Sequence, residues 1–330
     1  MSTGSRDFRI NYLISVERVY IYWATERILR TKFLDVLSAC GDSSQYGLLP
    51  WVPDLRLPWG TNQALFCQTH GLPEGNQNPS YRPDRYLGFE SQPDIINSAV
   101  LRVEGCPLGI IRALGPIGDV TQRLTNPTKL REGLLVPIIA WESMCTDTLG
   151  VSMAPAYSLS SDPSGQNVFS RLALSFANAL FRGYKKWGSE NHPATLMERF
   201  HIWCWNLPIP WNYTYSYPQI LSADKFLENF ERVLFTMVHD CQMLVLEGDR
   251  IVEKENIGVV GSDCHVRVGD EIFLLKGGST PFVLRTRDDE KSYKLMGPCY
   301  LSQYMGNNED MADLGDRIPP LLKSKIVVIT

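Results

Sequence analysis

An excess of basic charge is missing from this chain: 32 Lys and Arg stand against 36 Asp and Glu, a net charge of -4. Without a basic footprint, nucleic acid is not an expected partner. Long apolar runs are missing too. The longest, Leu134 to Trp141, is broken by Pro137 and falls far short of the ~20 residues a membrane-spanning helix needs, so membrane insertion is not expected. The first residues, Met1-Ser-Thr-Gly-Ser-Arg-Asp7, hold no apolar stretch of a secretory signal, and a cytoplasmic chain is expected. Histidines number only five and show no paired metal-ligand spacing. The eight cysteines are dispersed with no C-x-x-C pair, which predicts buried thiols rather than disulfides or a zinc site. No cofactor is expected. Gly277-Gly278 lacks the Lys-Ser/Thr of a phosphate-binding loop, and neither G-x-S-x-G nor H-E-x-x-H occurs.

What is present is an ordinary globular composition, 44% hydrophobic and 21% charged over 330 residues, with an unusual supply of aromatic rings. Val16, Val19, Tyr20 and Trp23 recur at helical spacing after a capping Ser15, predicting a helix over 15–31. Phe33 to Leu37 reads equally as its continuation or as a short strand. From Leu48 to Pro93 seven prolines punctuate an irregular wrap, which Trp51 and Trp59 anchor by burial. Asp54 follows Val52-Pro53 and is placed to cap a turn. Ala99–Val103 and Gly109–Ala113 read as two strands joined by a Gly-Cys-Pro turn. Residues 116–165 read as loops around the apolar segment Gly133–Trp141. If Glu142 and Cys145 lie on a helix, they share a face. Helices are predicted over 167–186 and 222–246, the second from Phe226, Phe230, Val233, Leu234, Met237 and Val238. Beyond Gly248 the period becomes two. Strands over 271–276, 281–285, 292–296 and 298–304 are expected, with turns at Gly277-Gly278 and Asp288–Lys291. Cys264-His265 reads as a structural pair, since neighbours on a strand point to opposite faces. The predicted fold class is α+β: a mainly antiparallel sheet packed by long helices, with a main body over 1–248 and a C-terminal β-meander over 249–330 in the same unit.

Several short boxes resemble a known family. Leu49-Pro-Trp-Val-Pro-Asp54 is similar to the L-P-x-W-V-P-D box of fungal heterokaryon-incompatibility (HET) proteins. Val268-Gly-Asp-Glu-Ile272, Pro281-Phe-Val-Leu-Arg285 and Tyr293-Lys-Leu-Met-Gly-Pro-Cys-Tyr300 resemble that family's V-G-D-x-V, P-F-V-L-R and Y-x-L-V-G-x-x-Y boxes. Tyr304-Met-Gly306 follows its G-x-M-x-G ending, with Tyr in place of the first Gly. The family's upstream S-Y-x-W-G and W-I-D-x-x-C-I-D-Q boxes do not occur. The expectation is therefore either a fragment or a scaffold used for something other than cell-death signalling.

Two functions follow. The first uses the aromatic segment 201–217, where Tyr213, Tyr215 and Tyr217 alternate on one strand face and Trp203, Trp205 and Trp211 stand close by. Apolar pockets are lined in this way. On this reading the chain is a cofactor-independent isomerase or cyclase of fungal secondary metabolism, a pericyclase being one form of it, acting on an apolar terpenoid or polyketide. Tyr213 and Tyr215 polarise a carbonyl as catalytic donors, and Trp51, Trp59, Trp203, Trp205 and Trp211 line the substrate site. The second function is the one the resemblance implies: a non-catalytic recognition module that binds a protein partner through its loops.

Overall fold

The structure, a computed structural model, describes residues 14–41, 47–56, 92–120, 127–150, 175–176, 179–180, 234–247, 257–301 and 324–330. Helix α1 (Val16–Thr31) begins where Ser15 accepts a hydrogen bond from the Arg18 backbone N–H. It stops at Lys32, which takes a left-handed conformation and donates its N–H to the Ile28 carbonyl. Its buried face is not the predicted stripe. Ala24 and Ile28 are buried, with Tyr20 and Ile21 beside them, whereas Val16 and Trp23 are exposed. Residues 35–39 form a 3-10 helix (Asp35–Ala39), neither a continuation of α1 nor a strand.

The strands are β1 (Asp94–Ile96), β2 (Val100–Leu114), β3 (Cys241–Glu247), β4 (Ile257–Gly261), β5 (Glu271–Leu275), β6 (Phe282–Thr286), β7 (Tyr293–Leu301) and β8 (Lys325–Ile329). The two strands expected at 99–113 are one. Gly105-Cys106-Pro107 is not a turn but precedes a register irregularity between Pro107 and Gly109, where the missing proline N–H is tolerated. Likewise 292–296 and 298–304 merge into the single β7. The hairpins β5–β6 and β6–β7 form the expected meander.

The pairing does more than meander. β2 pairs with β3, β3 with β4, β4 with β7, β7 with β6, β6 with β5, and β5 returns to β2, all antiparallel. The ladder therefore closes into a six-stranded barrel, which removes exposed strand edges around the ring. β1 and β8 extend β2 beyond the closure, and β8 also touches β7 in parallel. The ring spans both sides of residue 248.

Side-chain alternation sorts the core into two layers. Ile272, Val283, Met296, Leu244, Val260 and Ile111 share one cluster that fills the barrel. Their strand neighbours Phe273, Phe282, Leu284 and Leu295 face outward, where α1, the 3-10 turn and residues 48–52 cover them. On the opposite flank α2 (Pro127–Leu149) lies over β2 and β3. The sequence reading missed this helix because Pro137 sits inside it. Leu134, Leu135, Ile138, Trp141 and Cys145 nonetheless repeat at helical spacing and are all buried. Each such side chain contributes about 1.5–3 kcal/mol by burial, enough to offset the ~3 kcal/mol a mid-helix proline costs. Trp141 also donates its indole N–H to the Pro116 carbonyl at 2.7 Å.

The predicted helix over 222–246 is corrected at its end. Residues 234–238 are helical, but the chain turns at His239-Asp240 and runs on as β3. Met243 to Leu246 is a continuous apolar run, as a strand buried on both faces requires, and ladders to β2 and β4 hold it there. Of the helix expected over 167–186, residues 175–176 and 179–180 are helical, with Phe176, Ala179 and Leu180 buried. Among the described residues no helix is long and apolar enough to cross a membrane.

Candidate functional site

Two buried carboxylates organise the segments that carry the family-like boxes. Asp270 follows the turn at Val268-Gly269 and its side chain is only 1% exposed. Arg285, at the end of the P-F-V-L-R box on β6, clamps it with Nε to Oδ1 and Nη2 to Oδ2, both at 2.8 Å. The Arg267 backbone N–H donates to Oδ2 at 2.8 Å, and Arg285 Nη2 also reaches the His265 carbonyl at 2.9 Å. The V-G-D and P-F-V-L-R boxes are thus two halves of one bidentate ion pair.

Asp54 repeats this arrangement in the L-P-W-V-P-D box. Its carboxylate accepts the Arg56 backbone N–H at 3.0 Å, closing the turn expected from the sequence. Arg56 Nε and Nη2 add 2.8 Å bonds to it, and Nη1 reaches Glu17 in the first turn of α1 at 3.2 Å. The Arg56 hydrogen bonds hold Asp54 below the usual carboxylate range, and Glu17 is lowered by its backbone and Ser15 bonds with help from Arg56. Trp51 of this box is fully buried among Ala24, Ile28 and Phe282, and donates its indole N–H to the Ala99 carbonyl at 3.1 Å.

Beside the Arg285 clamp lies a cleft of about 720 Å³, within the ~300–1,000 Å³ of small-molecule pockets. Leu48, Leu49 and Pro50 give it an apolar wall. Arg267, Arg285, Arg287 and Lys294 give it a basic one, with Asp288 and Asp289 at the β6–β7 turn. The register pairs Arg285 with Lys294 across β6 and β7, and Arg287 lies two residues on, so cations gather at this end of the hairpin. Arg267 extends into solvent with its side chain 67% exposed. Arg287 donates to the Thr330 main-chain oxygen, and the Thr330 N–H donates to the Tyr293 carbonyl at 3.0 Å. Asp289 is turned inward on its own loop. Oδ1 accepts the backbone N–H groups of Lys291 at 3.0 Å and Ser292 at 2.9 Å, and Oδ2 the Ser292 hydroxyl at 2.8 Å. These bonds hold its carboxyl below the usual range.

Of the residues assigned from the sequence to a substrate site, Trp51 packs in the core behind the cleft, next to the wall formed by Leu49 and Pro50. Trp59, Trp203, Trp205, Trp211, Tyr213 and Tyr215 lie outside the described residues, as does Tyr217. Cys264 is buried in a 3-10 turn (Ser262–Cys264) and His265, exposed beside it, takes a left-handed conformation, so the pair sits on a turn and not on the strand expected. Glu142 and Cys145 do share a helix, and burial, with Glu142 adding to it, pushes the Cys145 thiol up to about 12. Cys40, Cys106, Cys145, Cys241, Cys264 and Cys299 are buried thiols. Among the described residues no three His, Cys, Asp or Glu side chains gather as a metal-binding group.

The basic wall was missed by the sequence reading. Its one linear signal is Arg285-Thr-Arg287, two cations on one face of a strand. Arg267, Lys294 and Thr330 join them only through strand pairing and the β4–β5 connection. Comparison with protein-family models, with curated proteins and with solved structures finds no match to this chain.

Proposed function

We propose that this chain is a non-catalytic recognition module of the HET-like kind, and that the cleft between its family-like boxes receives a segment of a partner protein. The observation that carries this reading is convergence. The box at 49–54 lies far in sequence from those at 268–272 and 281–285, yet their residues supply or brace the walls of one cleft. The most strongly bonded acids of these boxes, Asp54 and Asp270, are bound to arginines and hold the loops that carry them. A braced cleft with one apolar and one charged wall is suited to binding.

The test is selection of a random peptide library displayed on phage against the whole chain, with each enriched clone retested against Arg287→Glu. Enriched peptides that lose binding to the variant support the module. A selection yielding no cleft-dependent clone sinks it. The cyclase reading is favoured by the aromatic run 203–217 of the sequence. Its measurement is a thermal-shift screen with apolar terpenoids and polyketides, in which a ligand at a hundredfold excess over its Kd stabilises by about 2.7 kcal/mol.

A further inference from the structure

We propose that the outer face of α1 docks the protein flat onto an anionic lipid surface. Val16, Trp23 and Leu29 enter the headgroup layer, and Arg18, Arg27, Arg30 and Lys32 pair with the lipid anions. The face lies apart from the cleft, so the inference goes beyond the recognition-module reading and does not depend on it.

α1 buries only one side. Ala24 and Ile28 pack on the sheet with Ile21 beside them. Val16, Tyr22, Trp23 and Leu29 stay 37–48% exposed. At about 3.6 residues per turn these four fall in the arc opposite Ala24 and Ile28. Four large apolar side chains exposed on one helix mark a contact surface. Over its 16 residues α1 is about 24 Å long at ~1.5 Å per residue. It has the length to lie along a bilayer, not to cross one.

The same arc carries the cations. Arg18 and Arg27 stand at its two borders, Arg30 lies within it, and Lys32 follows at the C-cap. All four are exposed, and among the described residues no ion pair or side-chain hydrogen bond holds them. The acids of α1 do not offset them. Glu17 is bonded to Arg56, which leaves Glu26 alone on the outer face. Four cations against one acid stand out in a chain of net charge -4. The helix dipole accounts for Arg30 in the last turn, but it disfavours Arg18 in the first. An Arg in that place and an exposed Trp do nothing for folding; both serve binding.

A lipid surface fits this pattern best. The face is the convex outer side of a helix, which suits a broad soft surface rather than an extended peptide. A second copy would set four cations against four, and like charges across an interface repel. At a bilayer surface Trp and Tyr rings sit at headgroup level. Arginine stems lie along the apolar boundary with their heads among the lipid anions, and each cation adds attraction to an anionic leaflet.

The experiment is flotation of the whole chain with vesicles of phosphatidylcholine alone, or of phosphatidylcholine and phosphatidylserine at about 2:1. The chain is expected to bind the anionic vesicles about tenfold or more tighter than the neutral ones, and to come off as salt rises. Arg27→Glu with Arg30→Glu is expected to weaken binding about tenfold or more, and Trp23→Ser about threefold. Arg102→Glu, exposed on the opposite face of the sheet, leaves it unchanged. Arg18→Glu is the deciding variant: it suits the helix dipole, so Tm should hold or rise while vesicle binding falls about fivefold. Equal binding to neutral and anionic vesicles, or anionic binding untouched by Arg18→Glu and by the paired arginine variant, overturns the inference. No binding to either vesicle also overturns it and leaves the face to a protein partner. Vesicle binding without any cleft-dependent peptide removes the module alone, and the reverse result removes this inference alone.

Discussion

Cutting the Asp270–Arg285 clamp is the sharpest way to perturb the frame of the cleft. In Arg285→Ala the carboxylate of Asp270, 1% exposed, loses both 2.8 Å guanidinium bonds. It keeps one backbone N–H from Arg267 at 2.8 Å and the Arg267 guanidinium at 3.7 Å. Leaving a buried charge without its partner costs about 3–5 kcal/mol. A domain of ordinary stability has about 5–15 kcal/mol in total, so the variant should stay folded but with its urea midpoint moved far down. Arg285→Lys recovers only part, since an ammonium cannot make the two parallel bonds. Asp270→Ala with Arg285→Ala together should be about 2 kcal/mol less costly than the sum of the two singles, because the second change removes the charge the first stranded. Urea unfolding followed by tryptophan fluorescence, with the slope m unchanged, reads all four species. A cost under about 1 kcal/mol for Arg285→Ala, as for an exposed ion pair, would refute the reasoning, as would strict additivity of the double variant.

Three further outcomes are expected. Gly297→Ala places a Cβ 2.3 Å from the Cys264 sulfur at a φ of +149°, so it should destabilise by about 2–4 kcal/mol, and Cys264→Ala should restore part of the loss in thermal unfolding. Asp54 has a depressed pKa in the fold, so its pairing with Arg56 stabilises above the ordinary value of 3.8 and is lost as pH falls through the folded value. Asp54→Asn should therefore lower stability at pH 7 and converge on the parent in acid, and parallel melts at pH 7 and pH 2.5 check this. Asp263 has the opposite sign: burial raises its pKa, and the charged form costs stability as pH rises through that value. Asp263→Asn should thus raise Tm at pH 7 and change little at pH 3; a drop at pH 7 contradicts the assignment.

The β5–β6–β7 hairpins were legible because period-two burial and turn residues at Gly277 and Asp288–Lys291 agree with each other. The start of α1 was legible from Ser15; its end was not, because Phe33–Leu37 fitted a continuation equally well and only the left-handed Lys32 stops the helix there. Its inward face was not, because small Ala24 is buried while bulky Trp23 is exposed, and periodicity counts weigh the larger residue more. β3 was misread because Met243–Leu246 is apolar throughout and fits either period; only its ladders to β2 and β4 decide. α2 was hidden by Pro137, whose local cost is outweighed by tertiary burial. Closure of the barrel rests on the β2–β5 pairing, whose partners lie from 161 (Ile110 and Glu271) to 170 residues (Gly105 and Leu275) apart, which no local pattern encodes. The cleft was invisible for the same reason: Arg285 and Lys294 become neighbours only once β6 and β7 are paired.

The central claim is that the family-like boxes brace a cleft for recognition. Its most direct measurement is a TROSY chemical-shift titration of the whole chain with a cleft-dependent peptide from the library. The account predicts shifts confined to Leu48, Leu49, residues 285–289, Lys294 and Thr330, with the Arg285 Nε–H resonance still showing its bond to Asp270. Shifts that spare these residues and fall elsewhere on the chain would contradict it.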